Sequence, residues 1–244
     1  TRTINTTAPD MAISLAGLPA TASVGVPYAG SFSCTNSGGA DAASGAACGV
    51  TGLPAGVTVG TCTISPAGST WSAGSNVPAG ATVSCPVSGT PTTAGNVTVT
   101  GTTGATHDSN PANNSATLPM TVTAPDMAIS LAGLPTTASV GTPYSGSFSC
   151  TNIGNAEAGA GTQCGVTGLP TGVTAGICTI SPAGTNWTAG SPVPAGATVT
   201  CAVVGTPTAA GDSTVAGTTG ATHDSSAANN TDTRTINTTA PDMA

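Results

Sequence analysis

The sequence predicts an all-β protein that consists of tandem antiparallel β-sandwiches. Three observations carry this prediction: a gapless repeat of 116 residues, apolar residues at every second position, and turn residues at short intervals. The chain has 244 residues, with 34 Gly, 19 Pro and only two each of Trp, Tyr and Phe. Its core must therefore be built mostly from Val, Ala, Ile, Leu and cystine.

The repeat appears when the chain is aligned with itself. Residues 8–15, A-P-D-M-A-I-S-L, recur at 124–131, and a third copy begins at Ala240. Residues 1–12 are identical to residues 233–244, whereas the equivalent stretch between the copies differs from both. This pattern is consistent with a larger unit of two repeats in a longer array.

These matches divide the chain into four predicted segments. In chain order they are the terminal strand of a preceding repeat at 1–8, repeat 1 at 9–124, repeat 2 at 125–240, and the start of a following repeat at 241–244. Each repeat begins with the same linker, at Ala8, Pro9 and Asp10, at Ala124, Pro125 and Asp126, and at Ala240, Pro241 and Asp242. Because Pro fixes its own φ and restricts the residue before it, we expect a stiff joint.

Alternating apolar residues predict the strands. In residues 28–34 (apart from Gly30) and 83–87, apolar side chains recur with period two, and no segment shows helical spacing. Turn residues such as those at 52–56 and 110–114 separate such runs. The strands of repeat 1 are predicted at 11–16, 22–26, 28–36, 47–52, 57–64, 81–89, 95–102 and 115–123. Seven or eight short strands in a repeat of this length are typical of a β-sandwich.

The eight cysteines indicate disulfides and an oxidising, extracellular or cell-surface location. They lie at equivalent positions of the two repeats, at Cys34, Cys48, Cys62 and Cys85 and at Cys150, Cys164, Cys178 and Cys201. The gaps between them are too long for the C-x₂₋₄-C spacing of a zinc site. Four cysteines in a repeat allow three connectivities.

One of these connectivities is favoured. Cys48 and Cys62 flank a turn almost symmetrically, so a hairpin would place them opposite each other. This leaves Cys34 with Cys85, which share the inward parity of their strands. We therefore predict Cys48–Cys62 with Cys34–Cys85, and the equivalent bridges Cys164–Cys178 and Cys150–Cys201 in the second repeat.

The charge content excludes two classes of partner. The chain has two Arg, no Lys and nine acidic residues, which gives a net charge of −7. A nucleic-acid binder needs cations to neutralise phosphates, and an anionic membrane surface needs several basic residues. No apolar stretch approaches the 18 residues of a membrane span. We expect neither nucleic-acid binding nor membrane insertion.

No catalytic residue is predicted. His107, Asp108 and Ser109 have the residue types of a hydrolytic triad, but a triad needs groups that converge from separate elements. No G-x-S-x-G motif is present. The acids of repeat 1 lie far apart in sequence, which argues against a pair of glycosidase carboxylates. We expect a non-enzyme without a cofactor.

A calcium site is a stronger candidate than a catalytic site. Asp108, Asn113, Asn114 and Asp126 are oxygen donors near one end of the predicted sandwich, and Ca²⁺ takes six to eight oxygen ligands. No D-x-D-x-D loop is present, however, and Asn and Asp commonly bond their own backbone in turns. We favour turn chemistry and predict no metal site.

Sugars are considered both as a bound ligand and as covalently attached glycans. Trp71 and Trp187 could offer a platform to a sugar ligand, but a single Trp per repeat that covers one end of the core is favoured. The Ser/Thr-rich surface makes attached glycans candidate partners. N-x-[ST] triplets lie at Asn96, Asn113, Asn186 and Asn229.

Several stretches resemble bacterial extracellular immunoglobulin-like tandem repeats. They are V-G-T-P-Y-S-G-S-F at 140–148, G-L-P-T-G-V-T at 168–174 and G-T-P-T-A-A-G at 205–211. D-S-N-P-A-N-N-S-A at 108–116 is similar to the close of another bacterial surface-protein repeat family. The resemblance covers most of each repeat and implies Ig-like β-sandwich modules in surface, adhesive or secreted proteins. Four cysteines per copy depart from many members.

Together these observations predict a structural segment of an extracellular filament or stalk. Its modules would be disulfide-stapled Ig-like repeats, and its partner would be the protein itself, joined head to tail. The alternative is the stalk of a surface adhesin or carbohydrate-binding protein whose recognition domain lies outside this segment.

Overall fold

The computed structural model describes residues 7–43 and 45–241. The predicted strand at 1–8 and the start of a further repeat at 241–244 therefore lie outside the described residues, except for residues 7, 8 and 241. The chain divides into two units between Thr123 and Ala124, which we call module 1 and module 2. This division is one residue before the predicted repeat boundary.

The described residues of module 1 form ten strands in two sheets. They are β1 (Met11–Ser14), β2 (Thr21–Ser23), β3 (Tyr28–Asn36), β4 (Ala47–Thr51), β5 (Val57–Val59), β6 (Thr63–Ser65), β7 (Ser69–Thr70), β8 (Thr82–Gly89), β9 (Gly95–Gly104) and β10 (Ser115–Thr123). One sheet has the order β1-β3-β8-β6-β7, with β5 also paired to β8, and the other has the order β2-β10-β9-β4.

Module 2 repeats this plan. Its strands are β11 (Met127–Ser130), β12 (Thr137–Ser139), β13 (Tyr144–Asn152), β14 (Gln163–Thr167), β15 (Val173–Ser181), β16 (Thr185–Trp187), β17 (Thr198–Gly205), β18 (Gly211–Gly220) and β19 (Thr231–Thr239). The sheet orders are β11-β13-β17-β15-β16 and β12-β19-β18-β14. The predicted fold class, tandem Ig-like β-sandwiches, is confirmed.

Alternation along the strands builds the core. In β8 the side chains of Val83, Cys85 and Val87 are buried while the residues between them are exposed. The opposite sheet contributes Val99 and Met120, so both sheets share one core in module 1. Period-two alternation thus buries one face of each sheet and leaves Ser and Thr on the other.

Two strand predictions need correction. The single strand predicted at 57–64 is interrupted in module 1 between Val59 and Thr63, whereas module 2 keeps a continuous β15 with an irregular register between Ala175 and Cys178. The strand predicted at 22–26 is shorter and pairs with β10 in parallel. The chain leaves the first sheet after β1 and joins the second, so β2 runs in the same direction as the strand it meets.

The predicted disulfide pairing is wrong. Cys34 pairs with Cys48 and Cys62 with Cys85, and module 2 has Cys150–Cys164 and Cys178–Cys201. The physical reason is that the 52–56 turn is not a hairpin. β4 before the turn pairs with β9, whereas β5 after it pairs with β8 of the other sheet. Cys48 is therefore in one sheet, whereas Cys62 immediately precedes β6 of the other sheet.

Each observed bridge has a distinct role. Cys34 lies on β3 and Cys48 on β4, so this disulfide ties the two sheets together. Cys62 immediately precedes β6, whose Thr63 is opposite Ser84 of β8, so Cys62–Cys85 ties neighbouring segments of one sheet.

We expect non-reducing peptide mapping to recover these pairs and no free thiol. A fragment that links Cys48 to Cys62 would contradict the fold.

Candidate functional site

The inter-repeat linker is held by a buried asparagine of the module that follows it. In module 2, the Asn152 side chain is 0% exposed. Its Oδ1 accepts the Asp126 and Gly154 N–H groups, both at 3.1 Å. Its Nδ2 donates to the carbonyls of Ala156 at 2.8 Å and Val193 at 2.9 Å. The side-chain amide thus has a partner at all four of its usual hydrogen-bonding positions.

The aspartate of the linker completes this arrangement. The Asp126 carboxylate accepts the Nδ2 hydrogen of Asn229 at 2.9 Å, and the backbone carbonyl of Asp126 accepts the Ile153 N–H at 2.8 Å. The Asp224 carboxylate accepts the Met127 N–H at 3.2 Å, and Ser225 donates its N–H to the Pro125 carbonyl at 2.9 Å. We call this set of contacts the linker clamp.

Module 1 has the same linker clamp. Asn36 binds Asp10, Gly38, Ala40 and Val77 with the same atoms as Asn152 in module 2. The remaining contacts are Asn113 Nδ2 to Asp10 Oδ1, Ser37 N–H to the Asp10 carbonyl, Met11 N–H to Asp108 Oδ2 and Ser109 N–H to the Pro9 carbonyl. The linker clamp is therefore a property of the repeated sequence.

Module 2 adds contacts to the first linker residue. The Ala124 N–H donates to Asn155 Oδ1 at 2.9 Å, and the Ala124 carbonyl accepts the N–H groups of Asn155 and Ala156. Ala124 and Pro125 are both buried. At the equivalent position module 1 has Gly39, which has no side-chain acceptor. Asn155 thus gives module 2 a side-chain hydrogen bond to the linker that Gly39 cannot make in module 1.

A glycine allows the linker backbone to approach. A Cβ on Gly154 would lie 2.5 Å from the Ala124 carbonyl oxygen, 2.5 Å from the Asp126 nitrogen and 2.7 Å from the Pro125 carbonyl carbon. All three atoms belong to the backbone, so no side-chain rotation can relieve the contact. Gly38 meets the equivalent atoms of module 1.

We expect Gly154→Ala to destabilise module 2 by about 2 kcal/mol, the usual cost of forcing extra atoms into a packed site. The measurement is chemical denaturation followed by the fluorescence of Trp187, with Trp71 replaced by Phe. Gly159→Ala is the matched control, because Gly159 is exposed and its Cβ would meet nothing within 4 Å. Equal stability of the two variants would contradict the close approach.

The predicted linker residues differ in their surroundings. The residues that are buried or half-buried are Ala8, Pro9, Asp10, Ala124, Pro125 and Asp126. Ala240 and Pro241 are exposed, and Asp242 lies outside the described residues. The repeat pattern predicted the linker but did not predict the roles of Asn36, Asn152 and the glycines beside it. The available signal was the recurrence of C-T-N-x-G at residues 34–38 and 150–154.

Of the oxygen donors considered for calcium, the carboxylates of Asp108 and Asp126 accept hydrogen bonds within their own modules, whereas the Oδ1 atoms of Asn113 and Asn114 are buried without a hydrogen-bond partner among the described residues. Both carboxylate oxygens of Asp108 accept backbone N–H groups, from Met11 and Asn110. Asp126 accepts from Asn229. Within the described residues, no three His, Cys, Asp or Glu side chains are grouped as metal ligands would be.

The two tryptophans are buried. Trp71 and Trp187 are each 5% exposed, and the Trp187 Nε1 hydrogen is donated to the Ser191 carbonyl. The interpretation of each as a core residue is confirmed. The two tyrosines are also buried, and each donates its hydroxyl hydrogen to a proline carbonyl. Burial raises the pKa of Tyr28 and Tyr144 above the usual value of 10.0.

Across residues 7–43 and 45–241, no helix has the length and hydropathy needed to cross a bilayer.

Comparisons with known proteins find similar structures but no similar sequence. No protein-family model and no curated protein matches the chain. It is similar to the C-terminal domain of the Streptococcus agalactiae AgI/II polypeptide BspA, with 10% identity over 94% of this chain and 99% of that one and a TM-score of 0.45. The C-terminal domain of the Streptococcus pyogenes antigen I/II-family protein AspA gives 9% identity, 96% and 100% coverage and a TM-score of 0.45.

A third similar structure is Yersinia pseudotuberculosis InvD, with 13% identity over 96% of this chain and 58% of that one and a TM-score of 0.32. All three structures come from bacterial proteins. Likeness at these identities and TM-scores carries no argument about function.

Proposed function

We propose that this chain is a structural, non-enzymatic segment of an extracellular filament or stalk. Its β-sandwich modules follow one another head to tail, and its partner is another copy of the same kind of module. The observation that supports the proposal most is the linker clamp, because it incorporates the linker into the module that follows.

The residues on either side of the module boundary are each bonded within their own module. The Thr123 carbonyl ends β10 and accepts the Val24 N–H of module 1 at 2.9 Å. The next residue, Ala124, already has its N–H and carbonyl bonded within module 2. A flexible tether, in contrast, would need several unbonded residues. A short linker whose residues are bonded within the modules supports a structural role.

The composition and the disulfides support an extracellular structural role. Two bridges per module suit an oxidising location, and they stabilise a core with few aromatic residues. The carboxylate of Asp108, beside His107, is used to bind backbone N–H groups, which favours a structural role for this loop over a catalytic one.

The experiment that tests the proposal is negative-stain electron microscopy of the native material from the source cells, labelled with an antibody against this chain. Long uniform fibres, labelled along their length, are the expected result. Short cell-anchored stalks with an unlabelled tip would favour the adhesin alternative. Label confined to particles without either form would overturn the structural role.

A further inference from the structure

Two adjacent asparagines beside the linker of each module have side-chain oxygens without a protein partner. In module 2 they are Asn229, the last residue of the 3₁₀ helix Ala227–Asn229, and Asn230, which follows it. The Oδ1 atoms of both are shielded from solvent, and neither accepts a hydrogen bond from any described residue. Asn113 and Asn114 of module 1 repeat this finding. Buried polar atoms are nearly always hydrogen-bonded, so an exception that occurs in both modules indicates a bound ligand or a water.

Carboxylates lie beside these oxygens. The Asn229 Nδ2 hydrogen is donated to the Asp126 carboxylate at 2.9 Å. Because Oδ1 and Nδ2 belong to one amide group, the Asn229 Oδ1 is close to the same carboxylate. The Asp224 carboxylate accepts the N–H of Met127, the residue after Asp126. Two negative charges and two amide oxygens are therefore grouped beside the linker of module 2.

This group is rich in acceptors and poor in donors. Turn chemistry explains Asp224, whose two carboxylate oxygens accept the N–H groups of Met127 and Ser226. It does not explain the two asparagine oxygens, which accept no hydrogen bond within the described part of the chain. The chain has two Arg and no Lys, so side chains that could neutralise the carboxylates are scarce. A bound cation would supply both positive charge and a partner for the oxygens.

The donor set identifies the kind of cation. All candidate ligands are oxygen atoms, and the eight cysteines are all in disulfides, so a metal that prefers sulfur does not fit. Ca²⁺ accepts carboxylates, Asn side-chain carbonyls and water in a flexible shell of six to eight oxygens, whereas Mg²⁺ demands a near-ideal octahedron. Because the described residues contain no group of three acidic, His or Cys side chains, amides and water have to complete the shell.

We propose that each module binds one Ca²⁺ ion beside its linker. In module 2 the ligands are the Asp126 carboxylate and the Oδ1 atoms of Asn229 and Asn230, and Asp224 adds negative charge. The equivalent residues of module 1 are Asp10, Asn113, Asn114 and Asp108. With so few charged ligands, the expected dissociation constant is about 10⁻⁴–10⁻³ M, the range of extracellular modules. The site lies within one module, so it goes beyond the proposed function and does not rest on it.

A leucine substitution distinguishes an ion site from a purely structural amide. Asn230→Leu keeps the approximate shape of the side chain and removes the buried oxygen, while the backbone carbonyl still accepts the Thr219 N–H. In EGTA this variant should be at least as stable as the unmodified chain, because the oxygen that it removes has no protein partner. At about 10 mM Ca²⁺, module 2 of the unmodified chain should melt about 5 °C higher than in EGTA, and the variant should show no shift.

Each module is the control for the other. Trp187 reports on module 2 when Trp71 is replaced by Phe, and Trp71 reports on module 1 after the reverse exchange. Asn230→Leu should abolish the Ca²⁺ shift of module 2 alone, and Asn114→Leu should abolish that of module 1 alone. Asn237→Ala is the matched control, because it removes an exposed amide that donates to an aspartate away from the linker, and it should keep both shifts.

Isothermal titration calorimetry of the unmodified full chain gives a readout that needs no variant. We expect one Ca²⁺ ion per module. Equal melting temperatures in EGTA and in Ca²⁺, with no heat of binding, would overturn the inference and leave ordered water as the partner of the asparagine oxygens. A Ca²⁺ shift that both leucine variants retain would also overturn it. Fibres in the native material would still support the proposed function in either event.

Discussion

Reduction of both disulfides in a module is expected to lower its free energy of unfolding by about 6 kcal/mol. Loops of this length contribute about 3 kcal/mol per bridge through the entropy of the unfolded chain. The sequence separations are 14 residues for Cys34–Cys48 and 23 for Cys62–Cys85, and module 2 repeats both. A domain is usually stable by about 5–15 kcal/mol in total, so the reduced modules should be marginal.

This effect is measured by thermal and denaturant unfolding of two samples. One is the oxidised protein, and the other is the fully reduced protein, whose thiols are left unalkylated. Single Trp reporters separate the modules, because Trp71 and Trp187 are buried one in each. The double variant Cys150→Ala/Cys164→Ala removes one bridge, so it should lower the free energy of unfolding of module 2 by about 3 kcal/mol. The free energy of unfolding of module 1 should stay unchanged. Melting temperatures within a few degrees for oxidised and reduced protein would show that packing alone holds the sandwich.

Replacement of the buried asparagine of the linker clamp should have the next largest effect. Asn152→Ala leaves two backbone N–H groups and two carbonyls without the partner that now binds them. A buried polar group that loses its partner costs about 1–3 kcal/mol, although water can reach some of these groups. We expect a loss of about 4 kcal/mol in module 2, measured by denaturation with Trp187 as the reporter.

Asn155→Gly is the control for this variant. It installs the residue that module 1 has at Gly39 and removes one side-chain hydrogen bond, so it should cost only about 1 kcal/mol. Asn36→Ala should repeat the large effect in module 1, because Asn36 makes the same four hydrogen bonds. A small effect of Asn152→Ala would mean that other contacts hold the linker.

Local features of the sequence determined much of this protein. The 116-residue period, the alternation in strands such as β8 and the turn residues between them sufficed to predict tandem sandwiches and most strand positions. Such features are local because a half-buried strand must alternate with period two whichever strand it pairs with. The parity of Cys34 and Cys85 also identified them as inward-facing.

Long-range pairing decided the rest. The cysteine pairing depended on which sheet each strand joins, and symmetrical spacing around 52–56 could not reveal that β4 and β5 pair in different sheets. The linker clamp likewise joins residues such as Asp126 and Asn229, which are far apart in sequence. A local pattern reports whether a side chain faces inward, whereas its partner is set by how the strands are arranged in three dimensions.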